Sequence, residues 1–296
     1  MPISHSVQYY ALVCFAQLMR ILPRRAALFM GGCLGQIGWL SGLKRSLVLR
    51  NVKQALPDAS ESDRRRIAAH SARNFARTIT EFVRFDGRDR ANIERIVHID
   101  GLDALAKSME SGKGAILITA HLGSWALYFA ALSQSGVPIS LLVGKQRNRR
   151  VDAFIHRIPS STDKLIPKGR SAIKKILQSL EEGRCIVLVA DQHAGPNGIL
   201  SDFLGRETPT LSLPGAFVAR NRVPVFTMAG NRVQEGQHRV TLAPLEYDRN
   251  LEKEALKQAI TDAFNRALGD AIVACPDQYF WYHRRWRDSD AALAEK

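Results

Sequence analysis

Hydrophobic and polar positions follow different patterns in the first third of the chain and in the rest. Residues 7–19 and 26–43 contain no charged side chain, and a basic, proline-containing segment separates them. Residues 44–92 are rich in arginine and carry apolar residues at helical spacing, and the sequence Ser-Glu-Ser-Asp at residues 60–63 is typical of a helix start. The pattern therefore predicts helices up to about residue 92.

From about residue 93 onward, short aliphatic runs alternate with longer amphipathic segments. The predicted strands are Ile96–Ile99, Ala115–Thr119, Ile139–Val143, Cys185–Ala190, Val223–Ala229 and Arg239–Leu245. The predicted helices are Leu102–Ser111, Trp125–Ser135, Arg150–Arg157, Ser171–Glu182, Leu211–Arg220 and Lys253–Leu268. This alternation is typical of an α/β fold in which helices flank a largely parallel, mixed sheet, and we expect the last two strands to form an antiparallel edge.

The two uncharged N-terminal segments admit two interpretations. They form either a buried helix pair or a hydrophobic anchor at a membrane interface, with the flanking arginines at the level of the headgroups. Each is at or below the roughly 20 apolar residues that a spanning helix needs, and neither resembles a cleaved signal peptide. We favour membrane association because basic residues flank both segments. The predicted domains are hydrophobic membrane-associating helices over residues 1–43 and one catalytic α/β domain over residues 44–296, with 44–92 as its helical lead-in.

Composition narrows the class of partner. The chain has 42 Lys and Arg against 28 Asp and Glu, a net charge of +14, so its surface should attract nucleic acid, anionic lipid or an acidic protein. The four cysteines are far apart and form neither a Cys-x-x-Cys pair nor a zinc-binding pattern. We expect reduced, mostly buried thiols, as in a cytoplasmic protein, and no metal site.

A histidine follows the second predicted strand. His121 comes two residues after that strand, and Gly123 follows in a turn. Loops at the carboxyl ends of strands in an α/β sheet open into the ligand crevice, and a histidine there can take a proton from a hydroxyl and return it to a leaving group. The chain has no Gly-x-Ser-x-Gly motif, so direct attack of a hydroxyl on a thioester fits better than an acyl-serine route.

Three further blocks are candidates for binding. Asp191 and Gln192 follow the fourth predicted strand in a glycine-rich loop, where the aspartate either belongs to the site or caps the next helix. Basic residues that include Lys145 and Arg157 surround the loop after the third strand; arginine suits phosphate, although a solvated surface is the default for most of them. The aromatic and arginine-rich segment 276–287 could stack on bases or lie at a membrane interface, and we favour packing against the core.

Five motifs in a fixed order resemble one family over nearly the whole chain. They are Arg-Asn-Phe-Ala-Arg-Thr-Ile-Thr-Glu-Phe at 73–82, His-Leu-Gly-Ser-Trp at 121–125, Asp-Gln-x-x-Gly-Pro-x-Gly at 191–198, Phe-Leu-Gly-Arg-x-x-Pro-Thr at 203–210 and Gln-Tyr-Phe-Trp-Tyr-His-Arg-Arg-Trp at 278–286. With the apolar N-terminus, they resemble the bacterial lipid A late acyltransferase family, of the lauroyl or myristoyl type, in the lysophospholipid acyltransferase superfamily.

The resemblance implies an enzyme that needs no cofactor. Such enzymes transfer a fatty acyl chain from acyl carrier protein, or from coenzyme A in relatives, to a hydroxyl of a lipid A precursor or related glycolipid at the cytoplasmic face of the bacterial inner membrane. The implied partners are the donor thioester, a phosphorylated lipid acceptor and an anionic membrane surface, with no nucleic acid and a monomeric protein.

The resemblance also implies roles for particular residues. It makes His121 the general base, and it makes Arg157 and Asp191 counterparts of the family's further site arginine and aspartate. Arg157 would bind a lipid A phosphate or the donor, and Asp191 would order the polar network of the site. The other predicted substrate-binding residues are Ser124, Trp125, Lys145 and Gln192.

One position departs from the family's His-x4-Asp/Glu motif, because the acidic residue would stand at position 126 and the chain has Ala126. That carboxylate would orient His121 and stabilise its protonated form, so we expect this form to be inactive or weak. The alanine is either an engineered substitution that traps bound lipid, the explanation we favour, or a feature of a naturally silent homologue. Ala126→Glu should then raise acyl transfer roughly a hundredfold or more.

Two other functions stay open at this point. A non-catalytic homologue of the same fold would bind the lipid or the carrier without transferring the acyl chain, and the activity of Ala126→Glu would separate it from the enzyme. A nucleic-acid-binding protein, suggested by the charge and the aromatic C-terminal segment, ranks last because the sequence has no recognition motif for DNA or RNA.

Overall fold

The structure, a computed structural model, describes residues 3–85, 89–110, 112–156 and 164–287. Its α-helices are α1 (Ile3–Ile21), α2 (Arg24–Leu40), α3 (Arg45–Ala55), α4 (Glu61–Arg84), α5 (Ile93–Ile96), α6 (Leu102–Met109), α7 (Trp125–Gln134), α8 (Arg149–His156), α9 (Ala172–Glu181), α10 (Leu213–Asn221) and α11 (Lys253–Ala274). Its strands are β1 (Val97–Asp100), β2 (Ala115–Thr119), β3 (Ile139–Val143), β4 (Lys164–Pro167), β5 (Cys185–Val189), β6 (Ile199–Asp202), β7 (Glu207–Thr210), β8 (Val225–Arg232) and β9 (His238–Pro244).

The central sheet contains seven strands in the order β1-β9-β8-β2-β5-β3-β4. β8, β2, β5, β3 and β4 run parallel, β9 pairs antiparallel with β8, and β1 pairs parallel with β9. β6 and β7 form a separate antiparallel pair. β2 and β5 lie in the middle of the sheet and are buried on both faces, which explains their uninterrupted aliphatic sequences. The predicted α/β fold class is confirmed.

α4 is the helix on which the N-terminal helices assemble. The Ser60 hydroxyl caps it by accepting a hydrogen bond from the Asp63 backbone N–H at 3.0 Å, as residues 60–63 predict. α2 approaches α4 very closely at Gly35. A Cβ atom built on this residue would lie only 2.4 Å from the Ala72 carbonyl oxygen. The glycines of α2 therefore allow a backbone-to-backbone contact that a larger residue would prevent.

A buried charge cluster fastens α2 and α4 to the β8–β9 hairpin. The fully buried Glu81 carboxylate accepts hydrogen bonds at 2.5 Å from Arg24 and from Arg232, and it lies 2.7 Å from His238 Nε2. Burial would raise the pKa of Glu81, but Arg232, His238 and Arg24 outweigh it and lower that pKa well below its ordinary value. Arg24 also pairs with Asp89 at 2.7 Å, which extends the cluster beyond the end of α4.

Every strand and helix that the alternation predicts is present, most with boundaries within three residues. The longest extension is in α11, which ends at Ala274 rather than at Leu268. The edge prediction is wrong in one respect: β8 and β9 are antiparallel, but β1 covers the outer side of β9 and forms the edge. Sequence patterning missed β4, β6 and β7, each only four residues long and interrupted by proline or charged residues.

The expectation of mostly buried cysteines is also wrong. Cys14 and Cys33 are exposed, Cys275 is partly buried, and only Cys185 is fully buried. The two exposed thiols belong to α1 and α2, whose uncharged sequences made burial the natural expectation. All four are free thiols, as expected.

Large apolar side chains cover the outer surface of α1 and α2. Across the described ranges, no single helix has the length and hydropathy needed to cross a membrane; α2 and α3 meet both limits only as a pair that bends by 96°. The exposed apolar residues of the first two helices are Val7, Tyr10, Leu18, Ile21, Phe29, Leu34, Ile37 and Leu40. Because α2 packs on α4, the predicted boundary at residue 43 separates segments that share a hydrophobic contact, and the domain division itself stays a prediction.

Candidate active site

The carboxyl ends of β2 and β5 carry the two polar residues from which the site is built. These strands are neighbours, and Thr119 lies opposite Val189 in their parallel register. His121 and Asp191 each stand two residues beyond that pair, so strand pairing places them side by side at one edge of the sheet. The Ala190 N–H donates to the Thr119 carbonyl at 2.9 Å and extends the ladder to the start of both loops. This edge is where α/β sheets bind ligands.

The Asp191 carboxylate holds His121 at two points. The ring Nδ1 lies 2.8 Å from Oδ1, and the His121 backbone N–H donates to Oδ2 at 3.0 Å. Burial would raise the pKa of Asp191, but the charge of His121 and the hydrogen bonds from it outweigh burial and lower the pKa to about 2. Asp191 is therefore a carboxylate at neutral pH, and its bond to Nδ1 leaves Nε2 of the 20% exposed His121 side chain available to a substrate.

The expectation that His121 lacks a carboxylate partner is wrong. In the family motif the acidic partner stands five residues after the histidine. That is position 126 in this chain, and it carries no acid. The carboxylate comes instead from Asp191, which is 70 residues away in sequence and on the adjacent strand. Sequence spacing could not reveal this contact because it depends on which strands are neighbours in the sheet.

The C-terminal segment closes one side of the site. The Phe280 N–H donates to the His121 carbonyl at 3.0 Å, and the Gly123 N–H donates to the Gln278 carbonyl at 3.0 Å. The buried Tyr279 hydroxyl hydrogen-bonds to Asp191, and burial together with that carboxylate raises the pKa of Tyr279 well above its ordinary value, so it stays a donor. Core packing of this segment is confirmed, since Tyr279 and Trp281 are almost fully buried, but its contact with the histidine loop was not foreseen.

An apolar pocket opens beside His121. Its volume is about 370 Å³, within the range of about 300–1,000 Å³ that is typical of small-molecule sites. Aliphatic and aromatic side chains of α4, α7, β3 and β5 dominate the lining, which includes Ile79, Phe82, Phe85, Leu127, Leu141 and Val187. Ala126 also lines it, one residue after Trp125, whose ring meets the His121 ring edge-on at a centroid distance of 4.9 Å. A pocket of this kind fits a hydrocarbon chain whose polar end lies at His121.

The remaining predicted site residues that the structure describes, Ser124, Gln192 and Lys145, do not line the apolar pocket. Ser124 is fully buried, and its backbone N–H donates to the Tyr128 hydroxyl at 2.9 Å. The Gln192 carbonyl accepts a hydrogen bond from Arg285 at 2.8 Å. Lys145 is exposed in the loop after β3, between two residues that line the pocket. Arg157 lies outside the described residues.

The described ranges contain no candidate metal-binding site. No group of three or more His, Cys, Asp or Glu side chains there could hold an ion. The site as described contains an imidazole, a carboxylate, a phenol and an apolar pocket, a set that can move a proton but offers no nucleophilic serine or cysteine at His121.

Comparison with known proteins identifies the family. Residues 2–288 match the family model described as bacterial lipid A biosynthesis acyltransferase. The chain is 20% identical over 273 residues to the lipid A biosynthesis palmitoleoyltransferase of Escherichia coli (strain K12) and to a lipid A biosynthesis acyltransferase of Shigella flexneri, each alignment covering 90% of this chain and 86% of the relative. The protein therefore belongs to the bacterial lipid A biosynthesis acyltransferase family.

Proposed function

We propose that this protein is an O-acyltransferase that moves a fatty acyl chain from an acyl thioester to a hydroxyl of a lipid A precursor or related glycolipid. The observation that carries the proposal is the His121–Asp191 pair at the mouth of an apolar pocket. The pair supplies a base, the pocket accepts a hydrocarbon chain, and family membership supplies the class of reaction.

In this reaction His121 acts as general base through Nε2. Asp191 accepts the Nδ1–H, so the other ring nitrogen carries a lone pair that can take the proton of the acceptor hydroxyl. The hydroxyl oxygen then attacks the thioester carbonyl, the new C–O bond forms, and the C–S bond breaks. The proton passes from Nε2 to the departing thiolate. Asp191 stabilises the positive ring that exists between these proton transfers.

The donor in this proposal is a thioester of acyl carrier protein or of coenzyme A. Its acyl chain occupies the apolar pocket and its carbonyl lies at His121. The net charge of +14 favours either donor, since a carrier of this class is acidic and coenzyme A carries phosphates. Exposed Lys145, in the loop that borders the pocket, is placed to meet such an anion.

The site of action in this proposal is the cytoplasmic face of the bacterial inner membrane. The exposed apolar residues of α1 and α2 and the basic residues that flank these helices suit an interface of anionic lipid, into which a helix can bury one face without crossing. The acceptor is itself a lipid, so an enzyme held at this surface meets its substrate there.

A second candidate function is favoured by one specific observation. Ala126 stands where the family motif has its acid, and a homologue that only binds lipid or carrier would not need that acid. We favour the enzyme because Asp191 supplies a carboxylate to the ring in place of the acid that is missing at position 126.

The experiment that separates these functions is an acyl-transfer assay on the full chain. Purified protein in detergent is supplied with a lipid A precursor and either an acyl carrier protein thioester or a coenzyme A thioester, and the product is identified by mass spectrometry. We expect one added acyl chain, and we expect His121→Ala to abolish the addition. If neither donor gives product, or if His121→Ala transfers as well as the wild type, the proposed function fails.

A further inference from the structure

A second pocket lies on the first half of α4, outside the catalytic pair. His70, Arg73, Asn74, Arg77 and Asp277 line a cavity of about 220 Å³. Residues 70, 73 and 77 are three and four positions apart, so their side chains lie on one face of the helix. Two like charges at this spacing repel each other on a bare helix face, and an anion between them removes the repulsion.

In the part of the chain that the structure describes, the arginines of this cavity have no acidic partner. Within the described ranges, neither Arg73 nor Arg77 forms an ion pair, whereas Arg65 and Arg66, about two turns earlier on the same helix, each pair with a carboxylate. Asp277 supplies one carboxylate to this cavity, and that carboxylate accepts a hydrogen bond from the Asn74 amide at 3.2 Å. The cavity therefore contains more positive than negative charge.

Arg77 is fixed in place with a donor unused. Its Nε is buried and has no hydrogen-bond partner among the residues that the structure describes. The side chain crosses Gly32 of α2, where a Cβ atom would lie 3.0 Å from Nε and 3.3 Å from Nη2. Burial, together with the charges of Arg232 and Arg73, lowers the pKa of Arg77. The contact with Gly32 therefore holds the side chain of Arg77 in place while this residue lines the cavity.

The second pocket is close to the catalytic histidine. Asn74 donates to the Asp277 carbonyl at 2.8 Å, and the next residue along accepts the Gly123 N–H. Phe75, which stands between the two pocket arginines in sequence, packs on Phe280 at 4.7 Å, and Phe280 in turn lies 5.8 Å from the His121 ring. A molecule that reacts at His121 can therefore reach this pocket with another of its groups.

We propose that His70, Arg73 and Arg77 form a phosphate-binding pocket that holds a phosphate of a substrate while its reacting atoms lie at His121. Arginine is suited to this ligand because its planar fork binds two phosphate oxygens at once. This inference rests on the proposed function and extends it to the recognition of the substrate. The acyl chain occupies the apolar pocket along the second half of α4, and the phosphate occupies the cavity along its first half. The lipid acceptor is the expected source, and the phosphate of the donor's thiol arm is the other source.

The test measures binding without the donor, so that no turnover is needed. Full-length protein in detergent micelles is titrated with a phosphorylated lipid A-type disaccharide and with the same lipid after removal of its phosphates. We expect wild-type protein to prefer the phosphorylated lipid at least about tenfold, and we expect Arg77→Gln or Arg73→Gln to remove at least about tenfold of that preference, the equivalent of one charge-assisted hydrogen bond. Arg65→Gln is the matched control, since it removes the same charge from an exposed position of the same helix.

Kinetics then identify the source of the phosphate. If the acceptor supplies it, Arg77→Gln raises the KM of the phosphorylated acceptor and leaves that of the donor unchanged. If the donor supplies it, the donor KM rises and the acceptor preference survives. The inference is overturned if folded Gln variants match Arg65→Gln in both measurements. Arg77→Lys, which keeps the charge, covers the case in which Arg77→Gln does not fold.

The two proposals fail in different ways. A protein that binds phosphorylated lipid through Arg77 but transfers no acyl chain refutes the proposed function and leaves the phosphate pocket standing. A protein that transfers acyl chains with equal affinity for both lipids and an unchanged donor KM in every variant refutes the pocket alone.

Discussion

Replacing Asp191 by asparagine tests whether this carboxylate holds the catalytic ring. Two N–H groups of His121 now share the two carboxylate oxygens, and asparagine offers only one oxygen. If that oxygen stays on the backbone N–H, the amide nitrogen faces Nδ1 and the ring must carry its proton on Nε2. A ring in that tautomer cannot accept the proton of an acceptor hydroxyl.

We expect Asp191→Asn to lower kcat on the order of 10⁴-fold, the loss that follows the same change in a serine protease triad. Stability should fall as well. The pKa of Asp191 is lowered from 3.8 to about 2, which corresponds to roughly 2–3 kcal/mol of folding free energy at neutral pH. Because the folded pKa lies below the unfolded one, this stabilisation is present above about pH 4 and disappears as the pH falls toward 2.

The assay is single-turnover acyl transfer at neutral pH, measured beside Ala126→Glu and with Asp270→Asn as control. Asp270 lies exposed on α11, away from the site, so its change tests only the loss of one carboxylate. The sequence alone predicts a gain of roughly a hundredfold or more for Ala126→Glu. With Nδ1 already bound, we now expect that variant to change kcat less than about tenfold, since its new charge would enter the mouth of an apolar pocket.

Urea unfolding of each variant separates a catalytic loss from a folding defect. The reasoning is refuted if folded Asp191→Asn keeps kcat within tenfold of wild type while Ala126→Glu gains a hundredfold. In that case the acid missing at position 126, and not Asp191, would be the group that limits the enzyme.

Three further changes test the packing around the site. Gly35→Ala should lower the free energy of unfolding by about 1–3 kcal/mol, because its Cβ would meet the Ala72 carbonyl oxygen, whereas Gly38→Ala, with open space around it, should be neutral or stabilising in the same urea titration. Glu81→Gln should cost about 3–5 kcal/mol at neutral pH by leaving buried cations unpaired, and the penalty should shrink in unfolding curves taken below about pH 4.5, where the unfolded glutamate is protonated; an unchanged penalty at low pH would contradict this. Ala130 lies in the wall of the apolar pocket, and Ala130→Phe should lower kcat/KM for a hexadecanoyl donor at least about tenfold relative to a decanoyl donor. A tenfold loss corresponds to the transfer free energy of roughly two methylenes displaced from the pocket. Equal losses for both donors would show that the acyl chain lies elsewhere.

The sequence predicts the fold class and the place of His121 because both depend on local patterns. Alternation of aliphatic and amphipathic segments identifies β2 and β5 within one residue, and a polar residue after each strand end follows directly. The order of strands in the sheet is a different matter. It decides that β2 and β5 are neighbours, and only that adjacency turns His121 and Asp191 into a pair.

The other contacts that the sequence did not predict also join residues that are far apart in the chain. Tyr279 and Phe280 come from the other end of the chain and contact the histidine loop. An isolated β-bridge joins Leu122 to Tyr279, and no local sequence pattern indicates it. In the sequence, Glu81 is one of many charged residues on an arginine-rich helix. In the structure, it is fully buried among three basic groups. Long-range contacts of this kind are invisible to helical or strand periodicity.

α4 relates the two pockets to the two ends of an amphiphilic substrate. Its second half, from Thr78 to Phe82, lines the apolar pocket, and its first half, from His70 to Arg77, lines the cationic one. The centres of these stretches are about seven residues apart, or roughly 10 Å at the rise of 1.5 Å per residue of an α-helix. Thr78, the first residue of the second stretch, donates to the Gly123 carbonyl at 2.9 Å, beside His121. A single rigid helix thus fixes the distance between the hydrocarbon chain, the reacting atoms and the proposed phosphate, so a change in the tilt of α4 would alter the binding of both ends together.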